Sequence, residues 1–160
     1  MSNFKIYDDG SDYFLTIVVK KKAFVLLRWG IADAIVKSLR YCQRNKGIII
    51  YAFVIMPDHL HLLVGLKDNG NVSGFLRDFK RHTTKMIKGL LPATELAQFQ
   101  INQVTDRYQV WEHQTWVVYV DSEKVFEQKE DYIHWNPVVA GYVGNPARWR
   151  FSSYRMEKEI

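Results

Sequence analysis

Two histidines separated by a single residue, in the run Pro57-Asp58-His59-Leu60-His61, are the side chains in this sequence best placed to do chemistry. Successive side chains on a β-strand alternate between faces, so both imidazoles point one way and Leu60 the other. Imidazole suits divalent first-row metals. Two of them on a rigid strand make half of a metal site, with outer positions open to a further protein ligand, water and substrate oxygens. The same spacing also fits two polar residues on a solvated sheet face, and taken alone it leaves both readings open. The second candidate is Tyr132. A helix through it presents Gln128, Tyr132 and Asn136 at i, i+4 and i+8 on one side. A phenol brought to a metal-polarised phosphodiester can attack phosphorus and become covalently attached. Equally, Tyr132 is one of nine tyrosines and fits a half-buried packing role.

The elements that must carry these residues follow from the pattern of apolar positions. Tyr13-Phe-Leu-Thr-Ile-Val-Val19 is β-branched and aromatic and reads as a strand, and Lys20-Lys21-Lys22 follows as a charged turn that is either solvated or a phosphate contact. Over residues 30–45, Ile31, Ile35, Leu39 and Cys42 recur at helical spacing, which puts Cys42 on the buried side. The continuous apolar run 48–55 predicts a strand in the middle of the sheet, buried on both sides. Met56-Pro57-Asp58 turns it into the histidine strand 59–66, giving a hairpin. Asp68-Asn-Gly-Asn71 then opens a second helix over 72–90. Its apolar side is Phe75, Leu76, Phe79, Met86, Ile87 and Leu90. Arg77, Lys80, Arg81, Lys85 and Lys88 form a stripe on the other side with Asp78 as the only acid, a landing surface for phosphates or a solubilising face. Residues 93–108 show no regular pattern. Residues 110–120 read as strand, most clearly from 116, and a third helix capped by Asp121 or Ser122 runs to a stop at Asn136-Pro137. The order strand, helix, strand, strand, helix, strand, helix predicts one α+β domain over 1–160. Two helices would back a ferredoxin-like antiparallel sheet and the tyrosine helix would lie near the other face.

Composition narrows the function classes. A chain of 160 residues can bury a real core without staples, and its single cysteine excludes an internal disulfide framework or a cysteine-rich zinc site. No apolar run approaches the roughly 20 residues that cross a bilayer. The opening Met1-Ser-Asn-Phe-Lys-Ile-Tyr-Asp-Asp-Gly10 lacks the features of a signal peptide, so the expected location is the cytoplasm. A net charge of +5 and a pI near 9.3 point toward a polyanionic partner.

Pro57-Asp58-His59-Leu60-His61, followed some seventy residues later by Asp131-Tyr132-Ile-His-Trp-Asn136-Pro137-Val-Val-Ala-Gly141-Tyr-Val143, resembles the HUH single-tyrosine transposases of bacterial insertion sequences, and most of all their REP-associated relatives. The likeness extends to Tyr13-Phe-Leu-Thr16, Trp111-Glu112-His113 and the closing Trp149-Arg-Phe-Ser-Ser-Tyr154. It implies a ferredoxin-like core and the cutting and rejoining of single-stranded DNA, with hairpin-containing DNA as partner. The cofactor implied is a divalent cation, Mg²⁺ or Mn²⁺. Residue by residue, it makes His59 and His61 the metal pair, Tyr132 the nucleophile that forms a 5′-phosphotyrosine, and Asn136 the remaining metal ligand. Val139 departs from it where relatives commonly carry a basic residue. Insertion-sequence members are often homodimers that share active sites, while the REP-associated branch can act as monomers. The competing reading is a non-catalytic single-stranded nucleic-acid-binding module of the same fold.

Overall fold

The computed structural model describes residues 11–67 and 70–156, so the opening segment and the Asp68-Asn69 part of the second turn signal lie outside the described residues. β1 (Asp12–Val18) passes through a 3-10 turn at Lys20–Lys22 into α1 (Ile31–Asn45). The hairpin β2 (Ile48–Ile55) and β3 (His59–Leu66) and the long α2 (Val72–Leu90) come next. A short α3 (Ala93–Leu96) and a small ribbon of β4 (Gln100–Asn102) and β5 (Arg107–Tyr108) occupy the stretch with no regular sequence pattern. β6 (Trp116–Val120), α4 (Glu123–Val139) and a terminal turn of helix, α5 (Ser153–Met156), complete the order.

β1, β2, β3 and β6 form one antiparallel sheet in the order β2-β3-β1-β6, the ferredoxin-like arrangement that the alternation of strands and helices predicts. α1 and α2 cover one face. Ile35 and Leu39 of α1 and Phe75 and Phe79 of α2 pack there against Leu15, Ile17, Leu60, Leu62 and Val64. The other face carries a smaller cluster, Phe14, Ala52, Val54, Leu63 and Val120, closed by Ile133 of α4. The period-2 alternation of β3 therefore sends its leucines at 60 and 62 to the large core and its histidines to the α4 side.

Four expectations need correction. β2 is an edge strand, not a central one. Its apolar run reflects helices on both faces, plus a bulge at Tyr51 that shifts the register between Ile50 and Ala52 and so exchanges the faces along the strand. Its open edge is covered by the tail: Ile55 N donates to Phe151 O at 2.9 Å and Phe53 N to Ser153 Oγ at 2.9 Å. Strand structure in 110–120 is confined to β6, with Trp111 making only an isolated bridge to Val19. On α2, Leu90 is exposed and Met86 only half-buried, while Thr83 takes a core position, accepting from Trp111 Nε1 at 2.9 Å. Finally, Pro137 lies inside α4 rather than ending it. The helix stops after Val139, where Gly141 takes φ +83 and Tyr142 N donates to Pro137 O.

Candidate active site

His59 and His61 stand side by side at the start of β3, ring centroids 4.7 Å apart. Each is held through one nitrogen. His59 Nδ1 meets the Asp58 carboxylate at 2.6 Å, and His61 Nδ1 meets Thr16 Oγ1 at 2.9 Å. Thr16 is the direct cross-strand partner of His61 on β1, which explains how the hydroxyl finds it. One residue further along the same face, Phe14 stacks on the His61 ring at 5.3 Å. His61 is only 5% exposed, and its Nε2 is buried with no hydrogen-bond partner among the described residues. Burial, aided by His59 and Lys129, pushes the His61 pKa down to about 3, so the imidazole is neutral and its lone pair is free of a proton at physiological pH.

α4 brings the tyrosine to this face. Ser122 caps the helix by accepting from Val125 N, and Ile133, His134 and Pro137 anchor its buried side. Tyr132 lies edge-on to His61 with centroids 5.3 Å apart, and edge-on to Phe14 at 5.7 Å, yet the residue is 51% exposed. A phenol that touches the histidine pair and still faces solvent is open to a macromolecular substrate. Asn136 follows one turn later on the same side, half-buried. Gln128, one turn before Tyr132, is exposed.

Among the described residues no group of three or more His, Cys, Asp or Glu side chains could hold a metal ion. A cation here would therefore rest on two imidazoles and a neutral oxygen such as the Asn136 amide. The residues fit that role. Metal-binding histidines are oriented through their second nitrogen, as Asp58 and Thr16 do here, and His61 Nε2 is a buried atom that lacks a partner. A neutral ligand set leaves the full charge of a divalent cation for phosphate oxygens.

Sequence reasoning missed three contributors. Asp58 and Thr16 stood inside quoted motifs without a role. Lys129 gave no signal beyond its place three residues before Tyr132; its Nζ sits 4.7 Å from the Phe14 ring centroid and 5.9 Å from that of Tyr132. The basic stripe lies apart from this site, because α2 packs on the opposite sheet face. Its cations are also partly committed. Lys80 Nζ donates to the carbonyls of Glu112 and His113, Lys88 pairs with Asp106, and Arg77 and Arg81 both reach Asp78. Lys85 is exposed.

The comparisons with known proteins agree with one another. The family described as Transposase IS200 like matches residues 9–136. A Haemophilus influenzae protein provisionally named a REP-associated tyrosine transposase is 28% identical over 160 residues, covering 98% of this chain and 88% of its own length. The REP-associated tyrosine transposase of Escherichia coli K12 is 24% identical over 156 residues, covering 96% of this chain and 82% of its own. The fold is similar, with a TM-score of 0.74, to a solved REP-associated tyrosine transposase bound to a REP hairpin. That likeness spans 97% of this chain and 84% of the other at 21% identity.

Proposed function

Since the chain belongs to the IS200-like transposase family, we propose that it is a single-domain DNA strand transferase in which Tyr132 cuts and rejoins single-stranded DNA. The observation that carries this reading is the contact of a solvent-open phenol, Tyr132, with the neutral imidazole of His61, whose Nε2 has no partner among the described residues. His59, His61 and Asn136 would hold Mg²⁺ or Mn²⁺. Bound there, the cation supplies polarisation of a phosphodiester oxygen and stabilisation of the charge that develops on it.

The chain's own residues do the rest. Tyr132 Oη attacks phosphorus, its proton leaving to the solvent that reaches this half-exposed residue. The bond from phosphorus to the 3′ oxygen breaks, its electron pair stays on that oxygen, and a proton from solvent completes a free 3′-hydroxyl. The 5′-phosphotyrosine keeps a phosphoester bond, so a 3′-hydroxyl can later attack it and restore the strand without an outside energy source. Lys129, held over Phe14 and near Tyr132, supplies positive charge to the incoming phosphate. Asp58 and Thr16 fix the two imidazoles. Tyr132 meets His61 within one chain, which supports a site assembled by a single copy.

The substrate class we infer is single-stranded DNA with a hairpin, in keeping with the REP hairpin bound to the similar transposase. The cations of α2, Arg77, Lys80, Arg81, Lys85 and Lys88, are proposed to contact its phosphates. The deciding experiment incubates the protein with labelled hairpin DNA and Mg²⁺ and looks for a denaturant-resistant adduct. Tyr132→Phe removes only the hydroxyl, so it should bind DNA as before and form no adduct. An adduct persisting in that variant, or mapped by mass spectrometry to another residue, would defeat the assignment. DNA binding without any adduct in the wild type would favour a non-catalytic binding module.

A further inference from the structure

β6 is the last strand of the sheet, with no strand beyond it among the described residues, and its two faces look onto two different features. Trp116 pairs with Thr16, the residue whose hydroxyl holds His61. Alternation along the strand therefore puts the indole on the His61 and Tyr132 face, as it puts Val118 and Val120 with the α4 cluster. Trp116 is 55% exposed.

On the other face, Thr115 and Val117 line a cleft of about 370 Å³ together with Ser73, Arg77, Lys80 and His113. Lys80 Nζ is fixed in place by the Glu112 and His113 carbonyls at 2.9 and 3.1 Å. An ammonium has three N–H donors, so one remains for a ligand. Thr115 Oγ1 is buried with no hydrogen-bond partner among the described residues, although an unsatisfied buried hydroxyl is costly. Arg77 adds an exposed guanidinium. Donors of this kind suit an anion rich in acceptor oxygens, which a phosphodiester is, and an open indole suits the flat face of a base.

We propose that a single strand engaged at Tyr132 runs over the open edge of β6, with one base stacked on Trp116 and the neighbouring phosphates seated in the cleft of Arg77, Lys80 and Thr115. The identity of the polymer rests on the strand-transferase reading. The path explains how cations on the face of the sheet away from Tyr132 serve the same DNA molecule.

The test is fluorescence anisotropy on the full chain, without added metal, using a labelled DNA hairpin with an unpaired flank and the same hairpin without it. Trp116→Ala should weaken binding of the flanked hairpin about fivefold or more, the lower end of what one base stacked on an aromatic contributes, while Trp116→Phe keeps most of the affinity. Lys80→Gln should lower the slope of log affinity against log salt by roughly 0.7. Arg77→Gln repeats that measurement without touching the bonds to Glu112 and His113. The flankless hairpin should bind wild type and Trp116→Ala alike. Unchanged affinity and slope in these variants, or an equal loss with the flankless hairpin, overturns the path. The adduct assay reads the other proposal separately. Flank-dependent loss of binding with no wild-type adduct sustains the path and sinks strand transfer, whereas a normal adduct with unchanged affinities does the reverse.

Discussion

Between Thr16 and Tyr132, His61 is buried and keeps one nitrogen bare. A buried polar atom without a partner is ordinarily removed by selection for stability unless something binds it, which is the physical argument for a ligand at Nε2. His59→Ala and His61→Ala should each lower strand cleavage about a hundredfold or more, the usual loss when a group that stabilises developing charge is removed. The readout is release of labelled oligonucleotide with Mg²⁺. Cleavage that continues in the double variant or in excess chelator would eliminate the metal mechanism. Thr16→Val keeps the branched shape and deletes the hydroxyl that orients the ring. Loss of such an orienting partner should weaken metal affinity about 10–100-fold, measured by calorimetric titration with Mn²⁺. An unchanged affinity would reduce Thr16 to packing.

At the scale of elements, α4 does two tasks with one rod. Tyr132 and Asn136 share one rigid segment, and because the helix continues through Pro137 to Val139, Asn136 lies within it rather than at its end. Phenol and amide are thus fixed relative to each other, and the bond and the fit that proline forgoes fall in the last turn, where they cost least. The α2 stripe works differently. Two of its five cations have partners elsewhere in the fold, Lys80 on two carbonyls and Lys88 on Asp106, and so are held in place by the protein itself. Replacing Arg77, Lys80 and Lys85 together by Gln should flatten the salt dependence of single-strand binding by up to about 2, each phosphate contact being worth roughly 0.7. A slope equal to that of the wild type would return the stripe to a solubilising role.

At the scale of the whole molecule, the closing segment stabilises the sheet from its side. Ser153 Oγ bridges Phe53 of β2 and His134 Nε2 of α4, while Trp149 Nε1 donates to Ile55 O at 3.0 Å. The tail therefore covers the β2 edge and ties the tyrosine helix to it. A chain ending at Asn145 loses the Phe53 N, His134, Ile55 N and Trp149 bonds, about 4 kcal/mol at roughly 1 kcal/mol each, and exposes an apolar strand edge. Urea denaturation should show the lower midpoint, and light scattering should show association. An unchanged midpoint with a monodisperse solution would mean the tail is ornamental to stability. Among the described residues no helix is long and apolar enough to cross a membrane.

Spacing along the chain determined which faces are buried. The helical recurrence of Ile31, Ile35 and Leu39, the alternation that sets His59 and His61 against Leu60 and Leu62, and the one-turn step from Tyr132 to Asn136 are local periodicities, legible without a fold. The motif likeness added the chemical roles proposed for them. Lateral order left no such trace. A strand covered by helices on both faces reads the same at the edge as at the centre, so β2 looked central. Thr16 and His61 are 45 residues apart, and only the pairing of β1 with β3 makes one hold the other. Pro137 read as a stop because propensity is a local average, whereas burial of Ile133 against the sheet, and of His134 and Pro137 after it, carries α4 past it. Likewise, the stripe of α2 was visible as charge, but that it lies away from Tyr132, with the sheet between them, follows from the packing of two helices on one side of the sheet. Contacts between distant segments decided these points, because the free energy of packing whole faces outweighs the preference of any single residue.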